Sequence, residues 1–361
     1  MSKYIKVSIA FLLVLSLMLT FVAISLKNTS SGEASIVDAK KNKILACLGE
    51  NKTGYIQLPS VKNCIDSALS GDKNVNDAKY SNKAFREAQK INPLTYTFCH
   101  KNMHDLAHKI PSDEVLKVLL MDNWNTCEWG FLHGLLEDAA VGNKSEFFEP
   151  IIKICNSWND MRDRSECAHS VGHGVWNSTH KIEESLSVCS EFKLYYDARM
   201  CAMGSFMQIY WATSGTPSQK FDLKPLLILE NCVDTKGEIR NLCIDSVVFS
   251  YSLFYRKKTT KIRDFVSLSM NMQKRLPEAI LNKITYYAEI EKKVCNVFSD
   301  TDKRRCYFTL WNTISDFDGP FYTRSDVLEA LCKPYPDKYK ECMIVGIGVK
   351  NYWASKKVYS Y

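Results

Sequence analysis

Seven histidines occur in the 361-residue chain, and all of them fall between residues 100 and 180. Six sit in three apolar-rich segments: CHKNMHDLAH carries His100, His104 and His108; CEWGFLHGLLED carries His133, with Glu137 one turn on; CAHSVGHGVW carries His169 and His173. Residues four apart share a helix face, so each segment can present its imidazoles, or an imidazole and a carboxylate, along one line. Neutral imidazole is a ligand for zinc, copper and iron. A His-x-x-x-His pair offers two nitrogens to a single ion without rearranging a loop. The spacing therefore predicts a site for one or two transition-metal ions (iron, copper or zinc), with His104, His108, His133, His169 and His173 converging from three adjacent helices. Asp105 and Glu137 are the acids placed to ligate, to orient a ligand histidine or to act as general base.

Other residues in the region read less sharply. His100, directly after Cys99, suits a ligand or a helix-end role equally, and His180 reads as an isolated surface or hydrogen-bonded residue. Met203 and Met207 stand in the next segment at about the register of the histidines, where thioethers favour copper(I) or an axial haem position; core packing is the plainer role for them. Trp129 and Trp176 flank the cluster and could wall a pocket. Gly130, Gly134, Gly172, Gly174 and Gly204 interrupt the same segments at a cost of about 1 kcal/mol each in helix propensity, which implies close helix packing there. Buried hydrogen-bonded histidines or a pH-sensing interface are the competing readings of the cluster.

The elements that would position these residues are announced by the cysteines. There are fourteen, and five late pairs share a spacing: Cys155 with Cys167, Cys189 with Cys201, Cys232 with Cys243, Cys295 with Cys306 and Cys332 with Cys342. Polar, turn-rich residues lie between the members of a pair (NSWNDMRDRSE, NVFSDTDKRR). Apolar and aromatic residues follow the second member (AMGSFMQIYWA, YFTLWNTISDF). This pattern predicts a first cysteine ending one helix, a short corner, and a second cysteine opening the next helix, with a disulfide stapling the corner. Cys47–Cys64 and Cys99–Cys127 extend the scheme less regularly. Each bridge would stabilise the fold by roughly 2–4 kcal/mol through the unfolded chain, and such bridges persist in oxidising compartments. The expected fold is all-α: disulfide-stapled two-helix repeats forming a curved or solenoid-like array. Within it, PSDEVLKVLL, FDLKPLLILENC and RSDVLEALC read as helices, with Ser112 and Ser325 as cap candidates. Residues 71–90 read as a polar surface connection or exposed helix.

Residues 7–26, VSIAFLLVLSLMLTFVAISL, carry no charge over 20 positions, about the length that crosses a bilayer as a helix. Lys3 and Lys6 precede the run, so it reads as a transmembrane signal-anchor with a cytoplasmic tip at 1–6; the rival is a signal peptide cleaved to release a secreted protein. A stalk at 27–43 and an extracytoplasmic helical domain at 44–361 follow, the latter divided into a His-rich region, 99–180, and His-free repeats, 189–361. Sequons at Asn28, Asn51, Asn143 and Asn177 are compatible with a glycoprotein.

Composition and motifs narrow the function. The chain is 46% hydrophobic and 24% charged, as in folded proteins. Its net charge is +7, with no long basic stripe, so nucleic acid is not an expected partner. No H-E-x-x-H, G-x-S-x-G, Walker A, G-x-G-x-x-G or C-x-x-C-H motif occurs, which disfavours zincin, serine-hydrolase, nucleotide and covalent-haem chemistry. The leading expectation is a membrane-anchored extracytoplasmic metal-binding protein, with a metal-dependent oxidoreductase ahead of a zinc hydrolase if it is an enzyme. The alternatives are a non-catalytic helical-repeat protein that binds a protein, peptide or glycan, and a metal carrier.

Overall fold

In the computed structural model of the chain, residues 32–49, 59–69, 74–92, 95–120, 127, 129–139, 145–214, 232, 235–257, 277–316 and 325–355 are described. They are helical, with short turns and no strand among them. No helix among them is long and apolar enough to cross a membrane. Of the long ones, α8 (Met161–Thr179) opens with Arg162, Asp163, Arg164 and Glu166. The expected anchor at 7–26 lies outside the described residues. The single-pass anchor, the membrane as a partner and the extracytoplasmic, membrane-tethered localisation are therefore not retained.

The chain divides into two compact units, Met1–Ala139 and Ala140–Tyr361. The first contains α1 (residues 32–48), α2 (Pro59–Ala68), α3 (Val75–Ile91), α4 (Thr95–Ala107), α5 (Val115–Leu119) and α6 (Gly130–Ala139). Asn74 caps α3, its side-chain oxygen accepting the Asp77 N–H at 3.0 Å. The stretch expected to lie at the surface has a buried face, formed by Val75, Ala78, Ser81, Asn82, Ala84, Phe85 and Ala88. Its small residues let α3 approach α4 without a conspicuous apolar stripe. The polar stretch expected as a stalk is helical from residue 32, and Ile44, just beyond it, is fully buried. Ser112 does not cap a helix: it opens a single 3-10 turn, Ser112–Glu114, and α5 follows for five residues. At the centre of the unit is α6, whose residues are all buried except Asp138.

The second unit contains α7 (Phe148–Ser157), α8, α9 (Ile182–Cys189), α10 (Tyr195–Ser214), α11 (Gly237–Lys257), α12 (Glu278–Val294), α13 (Asp300–Asp316), α14 (Ser325–Cys332) and α15 (Tyr339–Ser355) among its described residues. FDLKPLLILENC lies almost wholly outside them, and α14 begins at Ser325 itself. The fourteen cysteines form the seven bridges that their spacing predicts. Cα–Cα separations are 5.1 Å for Cys99–Cys127 and 5.7 Å for Cys155–Cys167, within the range a disulfide spans.

The second cysteines share a register. Cys167, Cys201, Cys243 and Cys306 each lie six residues into their helix, and all are fully buried. Those helices pack in succession, α8 on α10, α10 on α11, α11 on α13 and α13 on α15. Two matching ion pairs tie their starts. Arg164, three before Cys167, donates to Asp197, four before Cys201, at 2.5 Å. Arg240, three before Cys243, donates to Asp302, four before Cys306, at 2.5 and 3.0 Å.

Candidate metal centre

In the first unit, α4 and α6 meet backbone to backbone. A Cβ at Gly130 would stand 2.3 Å from the His100 carbonyl oxygen, and a Cβ at Gly134 would stand 2.3 Å from that of His104. Only hydrogen fits in these places, which explains glycines inside a helix despite their propensity cost. The contact sets the depth at which Glu137 and Asp138, one turn beyond Gly134, face the histidines of α4.

Four imidazoles line this seam. His133 packs edge-on to His100, with ring centroids 5.3 Å apart. His100 Nδ1 donates to the Cys127 carbonyl at 3.1 Å. His104 and His108 form the tight pair. His108 lies one residue past the end of α4, but its N–H still points to the His104 carbonyl at 3.4 Å. His108 Nε2 stands 3.1 Å from His104 Nδ1. Their other nitrogens face acids: His104 Nε2 is 3.2 Å from Glu137 Oε1, and His108 Nδ1 is 2.7 Å from Asp138 Oδ2. These are charge contacts rather than aligned hydrogen bonds, but the acids still favour the protons on those outer nitrogens. The two inner nitrogens then turn lone pairs toward each other. One ring N–H in the other tautomer, or a metal ion, can fill the space between them. Two nitrogens bound to a tetrahedral ion at about 2.0–2.1 Å are about 3.3 Å apart, close to the separation here.

Asp105 completes a group of three whose ligand atoms, with those of His104 and His108, lie within 4.8 Å of one another. A His104, Asp105 and His108 cluster could therefore coordinate a metal ion. The carboxylate is already engaged by two ammonium groups, Lys101 Nζ at 2.5 Å and Lys62 Nζ at 3.0 Å. Partial burial alone would raise its pKa, but the hydrogen bonds and charges of Lys101 and Lys62 outweigh that and hold it below the usual carboxylate value. Glu137, whose side chain is 9% exposed, also stands 3.9 Å from His108 Nε2. It is a second carboxylate beside the histidine pair, outside the group of three.

The other expected ligands lie in the second unit. His169 and His173, on α8, bring their Nε2 atoms to 3.1 Å. His169 Nδ1 donates to the Met200 carbonyl at 3.2 Å, which leaves its Nε2 as the lone-pair nitrogen. Of the seven histidines, two pairs are brought into ligand-like proximity, one in each unit, and His133 joins neither. His180 ends α8 in the left-handed region, with φ 52°, and stacks on Trp176 at 5.9 Å; it is a terminus, not a ligand. Sequence reasoning missed Asp138, although its position beside Glu137 and four residues after Gly134 was a visible signal. It also missed Lys62, for which no local pattern exists.

No protein family, no curated protein and no solved structure matches the chain. The site stands on its geometry alone. The membrane anchoring expected of this metal-binding protein is not retained, because no described helix is long and apolar enough to cross a membrane; the His104, Asp105 and His108 cluster is compatible with the metal binding.

Proposed function

We propose that this protein is a metal carrier that holds a divalent transition-metal ion between His104 and His108, with Glu137 as the carboxylate donor. The observation that carries this reading is the 3.1 Å approach of two imidazole nitrogens whose outer nitrogens both face carboxylates. Two imidazoles and one carboxylate suit zinc, iron(II) or copper(II). Asp138 orients His108 from behind, and Asp105, clamped by Lys62 and Lys101, fixes the α4 face that bears both ligands. His100 and His133 support that face by ring packing. Exchange is favoured over permanent burial because the His108 and Asp105 side chains are each 30% exposed, so an ion can enter and leave from solvent.

The test is elemental analysis of the full chain after equilibration with zinc(II), iron(II) or copper(II) and removal of free metal. Near-stoichiometric uptake of at least one ion, lost in a folded His104→Ala/His108→Ala variant and kept in His133→Ala, is the expected result. No uptake, or uptake indifferent to the double substitution, overturns the proposal and leaves a shared proton between the two rings.

A further inference from the structure

We propose that the second unit holds a separate, soft metal site selective for copper(I), built from His169 and His173 of α8 and the thioethers of Met203 and Met207 of α10. The inference does not depend on the His104–His108 centre; it uses other residues in another unit.

Three contacts locate the site on α10. A Cβ at Gly204 would stand 2.1 Å from the His169 carbonyl oxygen and 3.2 Å from His173 Cδ2. In return, a Cβ at Gly172 would stand 1.8 Å from the Cys201 carbonyl oxygen. The Met200 carbonyl receives the His169 Nδ1 proton at 3.2 Å. Positions 200, 203, 204 and 207 recur at helical spacing on one face of α10, and two of them touch the imidazole-bearing face of α8 directly. Met203 precedes Gly204 by one residue and Met207 follows it by three, so the two methionines bracket the point where the His173 ring meets α10. Met203 is buried and Met207 half-buried.

The first unit supports the same placement by register. Gly130 and Gly204 each lie three residues after the second cysteine of a disulfide, Cys127 or Cys201, and each seats a histidine carbonyl, that of His100 or His169. His133 lies six after Cys127 and packs on His100. The residue six after Cys201 is Met207, so a thioether takes the place of an imidazole.

The donor chemistry selects the ion. His169 and His173 are 4% and 1% exposed. Two buried imidazoles and two thioethers are neutral, and moving a divalent charge among neutral donors away from water is far costlier than moving a monovalent one. Thioether sulfur is a ligand for copper(I) in preference to zinc or iron(II). With His169 Nδ1–H held by a backbone carbonyl, its Nε2 is set in tautomer and direction, the usual second bond of a metal-ligating histidine.

The experiment uses the full chain carrying His104→Ala/His108→Ala, which removes the first centre. Copper(I) is kept reduced with ascorbate, so that the disulfides stay closed, and is titrated against a chromophoric copper(I) chelator. X-ray absorption then reads the donors. One retained equivalent with both nitrogen and sulfur scattering is expected. Adding Met203→Leu/Met207→Leu, which keeps apolar volume, should weaken copper(I) binding about 30-fold and remove the sulfur scattering while the thermal transition stays in place. No copper(I) in the first variant, nitrogen-only scattering, or unchanged affinity after the leucine substitutions overturns the inference. Zinc uptake at His104 and His108, measured in the otherwise wild-type chain with only the two leucines, reports separately on the first proposal.

Discussion

In the first unit α4 lies against α6, and Gly130 takes the carbonyl of His100; in the second, α8 lies against α10, and Gly204 takes the carbonyl of His169. In both, the seated histidine donates its Nδ1 proton to a carbonyl at or beside the second cysteine, Cys127 or Met200. The surroundings then diverge. The first unit adds His108, Glu137 and Asp138 around His104, two of them reached by solvent. The second ends its row at His173, surrounds it with buried apolar residues of α8, and offers methionines from α10. Similar backbone contacts thus carry carboxylates beside one histidine pair and methionines on the helix that meets the other. The backbone contact and the neighbouring side chains are set by different atoms, and they can be perturbed separately.

The largest expected effect is on the shared backbone contact. Gly172→Ala places a methyl group where the Cys201 carbonyl lies, and should destabilise the chain by roughly 2–4 kcal/mol in denaturant unfolding. Gly134→Ala should cost a comparable amount through the His104 carbonyl. A substitution within about 0.5 kcal/mol of wild type at either place would break the claim that the two seams share a construction.

Next comes the difference in donors. His104→Ala/His108→Ala should lower zinc affinity by about 100-fold or more, by loss of both nitrogens, and leave copper(I) affinity within about threefold. Calorimetric titration of the full chain with each metal checks this, and equal losses for both would merge the two sites into one. Glu137→Gln should lower zinc affinity by roughly 10-fold without touching copper(I).

The smallest effect is expected at Asp105. Asp105→Asn should change zinc affinity by no more than about threefold, because Lys62 and Lys101 already occupy that carboxylate and such partly exposed ion pairs contribute about 1 kcal/mol or less. A loss as large as that from Glu137→Gln would exchange the roles assigned to the two acids.

Several of these elements were legible without coordinates. The polar corner between paired cysteines marks each disulfide, and four-residue spacing put His104 with His108 and His169 with His173. The glycines signalled close packing because nothing else justifies them inside helices. Other features left no such trace. Division of the chain at Ala139 is a matter of long-range contact, and it parts histidines whose local registers look alike. The buried face of α3 carries Val75 and Phe85 among the small or polar Ala78, Ser81, Asn82, Ala84 and Ala88, whose inward role is set by available space rather than by an apolar stripe. Asp105 looks like a ligand until Lys62, 43 positions away, is seen on its oxygen. The apolar run at 7–26 was the strongest local signal, and it concerns residues outside those described.

The seating of His169 on Gly204 has one more consequence. A carbonyl resting on an α-carbon holds two helices at a spacing that no donor side chain helps to define. The frame therefore works like a socket of fixed gauge, into which different side-chain fittings can be placed. An imidazole, a carboxylate or a thioether at the neighbouring positions changes what is held while the housing keeps its dimensions.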